Sequence, residues 1–118
     1  MQFSKLFLTL LTTVSAAVPL LSQDAVRRLT QEEAVNAALV KPQPDYPPVA
    51  RQLRLQGKVE VEISIDPAGA VETTKVLTGN AALTGAAVNA LKRWRFTPIT
   101  SDGKPVRAVA VLSFSFKP

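Results

Sequence analysis

The side chains of this chain that could perform chemistry are carboxylates and cations, because histidine and cysteine are both absent. Their absence removes thiolate and imidazole metal ligands, nucleophile pairs built on cysteine or on serine with histidine, and the usual base near neutral pH. The nine acidic residues are spread along the chain, and no pair stands out for hydrolysis. We therefore predict that the protein is not an enzyme and has no catalytic residue, metal site or cofactor.

The basic cluster Lys92-Arg93-Trp94-Arg95 could bind an anionic partner, in a chain with a formal net charge of +5. Basic side chains beside an aromatic ring suit phosphates and nucleobases. Cations also complement the dipole in the last turn of a helix, and a tryptophan between them would then point to the core. We favour the helix-end interpretation and predict no nucleic-acid partner.

Residues 1–22 have the composition of a secretory leader. A short polar start with Lys5 precedes an apolar run, and the small residues Ser15-Ala16-Ala17 fit the rule for cleavage. We predict a signal peptide that is cleaved after Ala17 or after Ser22, with an uncleaved membrane anchor as the alternative. In both cases the rest of the chain lies outside the cytoplasm.

The residues between the leader and the first strand indicate two short helices. Thr30 and Glu33 have the spacing of a capping box, which begins a helix within a lead-in over residues 23–41. The proline-rich stretch that starts at Pro42 should be extended, and a second helix follows it and ends at Gly57.

Alternation of apolar and polar residues indicates the strands. Lys58–Asp66 reads as a half-buried strand, and Asp66-Pro67-Ala68-Gly69 has the residues of a tight turn. Ala70–Leu77 is then the return strand of a hairpin, with a bulge near Thr73-Thr74. Val106–Phe116 alternates again and forms the last strand.

The main helix is predicted over Asn80–Arg93. Its core-facing stripe has three-and-four spacing and consists of Leu83, Ala87, Ala90, Leu91 and Trp94. We interpret Trp94 and Phe96 as core anchors rather than as rings that stack on a ligand. The order helix, strand, strand, helix, strand predicts an α+β fold, with a three-stranded antiparallel sheet and two helices packed on one face.

The position of the last strand determines the function that we expect. A right-handed crossover places the first strand at the centre of the sheet and Val106–Phe116 at an edge. An edge strand without proline or inward-pointing charge exposes a row of backbone donors and acceptors. Such a row can receive an extended peptide, or it can pair with a second copy of the chain in a structural homodimer.

Several motifs, in this order, resemble the C-terminal domain of TonB proteins. They are the Tyr46-Pro47 pair, Gly57 before the first strand, the Asp66-Pro67-Ala68-Gly69 turn and the segment Trp94-Arg95-Phe96-Thr97-Pro98. We take residues 42–118 as the domain. The resemblance implies a periplasmic module that binds the box peptide at the N-terminus of an outer-membrane transporter and supports energy-dependent transport. In the uncleaved case the leader would anchor it in the inner membrane.

The resemblance also implies which residues meet the peptide. Gln43, three residues before the tyrosine, matches the contact glutamine of the family, and Pro44 lies beside it. On the last strand the expected partner-binding residues are Arg107, Val109, Val111 and Ser113. Energy-transducing TonB proteins also engage an inner-membrane proton-channel complex, through a membrane helix with a histidine and a long proline-rich spacer. This chain has no histidine and only a short connection after its leader, so we expect a stand-alone domain.

Overall fold

The computed structural model describes residues 25–118, so the predicted leader over residues 1–22 lies outside the described residues. In chain order the elements are β1 (Val26–Leu29), α1 (Gln31–Ala37), β2 (Ala38–Val40), α2 (Pro48–Gln52), β3 (Gly57–Ile65), β4 (Val71–Thr78), α3 (Ala81–Leu91), β5 (Arg95–Phe96), β6 (Thr100–Ser101), β7 (Lys104–Pro105) and β8 (Arg107–Phe116). This mixture of helices and antiparallel strands confirms the α+β class. No helix in this range combines the length and the apolar character that a membrane crossing requires.

The main sheet has four strands in the order β1-β8-β3-β4, one strand more than we predicted. As expected, β3 is central and runs antiparallel to both β4 and β8. The additional strand is β1, which pairs with β8 in parallel. Its last residue, Leu29, is buried in the core directly before the N-cap of α1, and this burial docks the segment on the sheet.

The core lies between one face of the main sheet and α3. The apolar residues of β3 are fully buried; they lie beside the buried residues of β8 on one face of the sheet and share a core cluster with the buried stripe of α3. Trp94 is 3% exposed and Phe96 is 2% exposed, which confirms both as core anchors. Burial of each large apolar side chain contributes about 1.5–3 kcal/mol. The core residues of these elements are Val59, Val61, Ile63, Ile65, Leu83, Ala87, Leu91, Ala108, Ala110 and Leu112.

The capping box that begins α1 is present as predicted. The Thr30 hydroxyl accepts a hydrogen bond of 3.1 Å from the backbone N–H of Glu33, and the Thr30 N–H donates one of 2.9 Å to the Glu33 carboxylate. The backbone and hydroxyl of Thr30 hold the pKa of Glu33 below its ordinary range. Ala34 of this helix is fully buried, so α1 is packed against the core.

The second helix is shorter than predicted, and the prediction that it ends at Gly57 is wrong. α2 ends at Gln52, and the left-handed residue after it is Arg54, with φ 54°. The N–H of Arg54 donates to the Arg51 carbonyl, and the N–H of Leu55 donates to the Ala50 carbonyl. This pair of bonds is a Schellman motif, which terminates a helix at whichever residue adopts the left-handed conformation.

The hairpin between β3 and β4 turns where predicted, and one of its two bulges lies next to the predicted position. The Asp66 carboxylate accepts hydrogen bonds of 2.9 Å from the N–H groups of Ala68 and Ala70. The register skips Glu72, directly before Thr73, and also Leu77, which was not predicted. The extra residue at Glu72 puts Val71 opposite Ile65 and Val76 opposite Val61, which resolves the apolar parity of the strand.

Candidate functional site

The outer side of β8 is partly occupied by the chain itself. β1 pairs with the first four residues of β8, with Val26 opposite Arg107 and Leu29 opposite Ala110. The expectation that the last strand is a free edge along its whole length is therefore wrong for Arg107–Ala110, which we call the covered half. Of the predicted contact residues, Arg107 and Val109 lie in this half.

The remainder of β8, Val111–Phe116, is paired on one side only. Its inner side pairs with β3, from Val111 opposite Glu62 to Phe116 opposite Gly57. Among residues 25–118 no strand pairs with its outer side, so we call it the open half. Val111 and Ser113 of the predicted site lie here. The stretch is six residues long and contains no proline or charged residue, so its outer backbone groups can receive another strand.

The predicted contact side chains of β8 lie on the solvent face of the sheet, and the two polar ones, Arg107 and Ser113, already have partners there. Arg107 donates hydrogen bonds of 2.9 and 3.1 Å to the two carboxylate oxygens of Glu72. The hydrogen bond from Arg107 holds the pKa of Glu72 below its ordinary range. The Ser113 hydroxyl donates to Glu60 at 3.3 Å. What β8 offers a partner is therefore mainly its backbone.

The segment that carries Gln43 and Pro44 is fixed at both ends. The indole N–H of Trp94 donates a hydrogen bond of 3.1 Å to the carbonyl oxygen of Pro42. The Tyr46 hydroxyl donates to the carbonyl oxygen of Leu55. Between these two tethers Gln43 is exposed and Pro44 is half-buried, so the glutamine amide faces solvent from a constrained backbone.

The same two aromatic residues connect this segment to the open half of β8. The rings of Trp94 and Phe114 meet edge to face at 6.1 Å between centroids, and those of Tyr46 and Phe116 lie 6.2 Å apart. Phe114 and Phe116 are both in the open half. The structure thus brings the Gln43 segment to the same end of β8 as Val111 and Ser113, and away from the covered half.

The opposite edge of the main sheet is irregular. β4 carries its bulges at Glu72 and Leu77, and Lys75 lies between them. Bulges and charges are the means by which proteins prevent edge strands from pairing with other chains. Val76 and Leu77 are 42% and 43% exposed, but the interrupted register makes β4 a poor template for a partner strand.

A shallow groove of about 380 Å³ separates the Tyr46-Pro47 pair from the exposed, small-residue side of α3. Its polar side chains, Asp45, Asn89 and Arg93, are all exposed. Over the part of the chain that the structure describes, no polar or charged residue is buried and no cluster of acidic side chains could hold a metal ion. The groove therefore lacks the buried, convergent polar groups that small-molecule sites use.

Comparison with known proteins identifies the family. The family described as "Gram-negative bacterial TonB protein C-terminal" matches residues 42–118. The chain belongs to the TonB C-terminal domain family. Residues 42–118 include the Gln43 segment, β8 and the motifs that carried the resemblance. β1 and α1, by contrast, precede the stretch that the TonB family matches.

Individual TonB relatives agree with this assignment. The chain is 36% identical over 76 residues to Protein TonB of Escherichia coli strain K12, which covers 63% of this chain and 30% of the relative. It is 36% identical over 77 residues to Protein TonB of Vibrio cholerae, covering 64% of this chain and 32% of the relative. The solution NMR structure of the Pseudomonas aeruginosa TonB CTD superposes with a TM-score of 0.60 at 30% identity, covering 69% of this chain and 84% of that one. The match thus spans about a third of the length of these curated TonB proteins.

The sequence pattern does not indicate β1 as part of the site. A strand of four residues, Val-Arg-Arg-Leu, carries no usable alternation. One signal was available, because an apolar residue directly before an N-cap often packs against the first turns of its helix. Leu29 precedes the N-cap Thr30, and this relation could have indicated that the segment docks on the core.

Proposed function

We propose that this protein is a periplasmic TonB-type module that binds an extended peptide of an outer-membrane transporter by strand addition to β8, and thereby supports energy-dependent transport across the outer membrane. The observation that carries the proposal is the outer side of Val111–Phe116, with which no strand of the described residues 25–118 pairs, in a family whose members are TonB proteins. A strand added there gains backbone hydrogen bonds along the open half, and each one contributes about 0.5–1.5 kcal/mol.

The fixed segment before Tyr46 supports the same proposal. Its tethers to Trp94 and Leu55 hold Gln43 exposed at the end of β8 that has the free backbone row. An amide can donate to and accept from the backbone of an extended peptide. Because two hydrogen bonds already restrain the segment, we expect it to lose little conformational freedom when the peptide binds.

The proposal includes export and a membrane-side partner. Residues 1–22 act as a signal peptide or as an uncleaved inner-membrane anchor, and residues 42–118 work in the periplasm. If the leader is retained, an inner-membrane proton-channel complex becomes a second partner. Mass spectrometry of the exported protein distinguishes the two forms, because cleavage after Ala17 or Ser22 removes a defined mass.

A structural homodimer is the competing function, and the open half of β8 would serve it equally well. Two copies could pair Val111–Phe116 antiparallel across a twofold axis. However, such a dimer could gain little further strand pairing through β1 and β4, the two outermost strands of the main sheet. β1 is short and carries two arginines, and β4 is bulged.

Binding and oligomeric state together test the proposal. Short synthetic peptides that copy the N-terminal segments of outer-membrane transporters are titrated into the purified protein by calorimetry, with a scrambled peptide as the control. Size-exclusion chromatography with light scattering is run with and without peptide. We expect a monomer that binds the transporter sequence and not the scrambled one. A stable dimer that binds neither peptide would establish the competing function instead.

A further inference from the structure

β1 pairs with part of β8, the strand on which we propose that the peptide docks, and occupies the position that a peptide would take there. Val26–Leu29 is extended and pairs with Arg107–Ala110 residue by residue. We propose that β1 is an internal substitute for the partner: it covers the first half of the β8 edge when no peptide is bound, and an incoming peptide displaces it. This inference rests on the proposed function and adds to it a means by which access to the edge is regulated.

The contacts that hold β1 are few. Leu29 is its one buried side chain, and Val26 at the other end is 55% exposed. Arg27 donates a hydrogen bond of 3.1 Å to the Thr100 carbonyl and lies 3.8 Å from the Glu33 carboxylate. Both members of that ion pair are about half exposed, and such pairs contribute little. A segment with one apolar anchor and an exposed backbone belongs to the least stable part of a fold, which opens before the core does.

Because β1 is short, a partner peptide can form more backbone hydrogen bonds with β8 than β1 does. β1 cannot continue along β8 past Ala110, because the next residue, Thr30, is the N-cap of α1 and is held there by Glu33. A peptide is free of this constraint and can pair with the open half and the covered half in one run. It therefore replaces every backbone bond that β1 loses and adds those of Val111–Phe116.

The position of Leu29 indicates what the displacing peptide must carry. Leu29 lies opposite Ala110 and is buried, so its removal leaves an apolar space at the sheet margin. Arg28 and Val26 lie opposite Val109 and Arg107 on the solvent face and leave no such space. The partner should therefore be an extended peptide that presents one apolar side chain next to Ala110, with neighbouring positions free to vary. A peptide with aspartate at this position should not displace β1.

A reversible crosslink between β1 and β8 provides the test. Arg28 and Val109 are register partners on the solvent face, and adjacent strands lie about 4.8 Å apart, within the Cα separation that a disulfide spans. The chain has no cysteine of its own, so the double variant Arg28→Cys/Val109→Cys forms one defined bond. Affinity for a transporter N-terminal peptide is measured by calorimetry on the oxidised and the reduced form of the same protein.

We expect the oxidised form to bind at least about tenfold more weakly than the reduced form, because it cannot release β1. The control, Glu62→Cys/Lys75→Cys, joins register partners of β3 and β4 and should bind equally in both states. Equal affinity of the oxidised and reduced β1 variant would overturn displacement while leaving docking on the open half intact. If the unmodified protein binds no transporter peptide at all, the proposed function fails, and this inference fails with it.

Loosening β1 gives an independent result in the opposite direction. Leu29→Ala weakens the one buried anchor, so the fraction of molecules with a free edge rises and the apparent affinity for the peptide increases, by about three- to tenfold. Val26→Ala changes an exposed position of the same strand and should leave affinity unchanged. Near-ultraviolet circular dichroism verifies that both variants fold. Unchanged or weaker binding by a folded Leu29→Ala variant would contradict displacement.

Discussion

Trp94 donates a hydrogen bond from its indole nitrogen to the carbonyl oxygen of Pro42, at 3.1 Å and across 52 positions of the chain. The same ring is buried and meets Phe114 of β8 edge to face. One core side chain therefore fixes the residue before Gln43 and also packs under the open half of β8. The core therefore sets the position of the Gln43 segment relative to the open half of β8. Substitutions in the core should alter peptide affinity even where the substituted residue does not contact the peptide.

Trp94→Phe tests this relation, because it keeps an aromatic ring in the core and removes the N–H group that holds Pro42. We expect a loss of stability of about 1–2 kcal/mol from the smaller ring and the missing hydrogen bond. We also expect faster amide exchange at Gln43 and weaker peptide binding. Hydrogen exchange by NMR and calorimetry measure the two effects. Unchanged exchange at Gln43 would show that the indole does not restrain the segment.

Gln43→Ala should reduce peptide affinity with no effect on folding, because the side chain is exposed and its amide is free to meet the peptide backbone. Loss of one hydrogen bond corresponds to about a two- to tenfold increase in Kd. Gln52→Ala is the matched control, since Gln52 is also exposed but lies on α2. Equal affinities for the two variants would show that the Gln43 side chain does not contact the peptide.

Gly69→Ala should destabilise the protein by roughly 2–4 kcal/mol. Gly69 has φ 93°, and a Cβ atom there would lie 2.0 Å from the backbone carbonyl oxygen of Phe96. Gly103→Ala separates the two causes, because Gly103 has φ 80° with open space around it and should cost roughly 1–2 kcal/mol. Urea denaturation measures both. Similar losses in the two variants would mean that the β5 backbone moves aside.

Glu72→Gln should destabilise the protein at neutral pH and have a smaller effect in acid. Because Arg107 lowers the pKa of Glu72, the contribution of this carboxylate is full above about 4.3, the pKa of an unfolded glutamate, and is lost as pH falls through the lower folded pKa. Urea midpoints of both proteins across this range measure the difference. In an Arg107→Gln background the effect at neutral pH should largely disappear, and its persistence there would assign it to another cause.

The parts of the fold that were predictable are those that short-range chemistry specifies. The capping box of Thr30 and Glu33, the tight turn at Asp66–Gly69 and the apolar stripe of α3 each depend on neighbours within a few residues. The end of α2 was not predictable in this way. Its left-handed residue is Arg54. Arginine has no preference for the left-handed conformation, whereas glycine adopts it readily, so the sequence pointed to the nearby Gly57 instead.

The candidate site was predictable only in part, because its state depends on a contact between distant parts of the chain. The alternation of Val106–Phe116 and its place beside β3 follow from local pattern and crossover handedness. The pairing of β1 with Arg107–Ala110 joins segments at opposite ends of the described chain. A four-residue strand with two arginines has no apolar alternation that would indicate a pairing partner. The sequence therefore did not predict that β1 covers Arg107–Ala110.

The most direct measurement of the central claim is an NMR titration of isotope-labelled protein with a transporter N-terminal peptide. We predict large amide shifts in Val111–Phe116 and at Gln43, with further shifts in Val26–Leu29 and Arg107–Ala110 as β1 is displaced. Amides on the outer side of the open half should become protected from exchange. Shifts that gather instead on β4 or along the groove beside α3, with Val111–Phe116 unchanged, would contradict docking on β8.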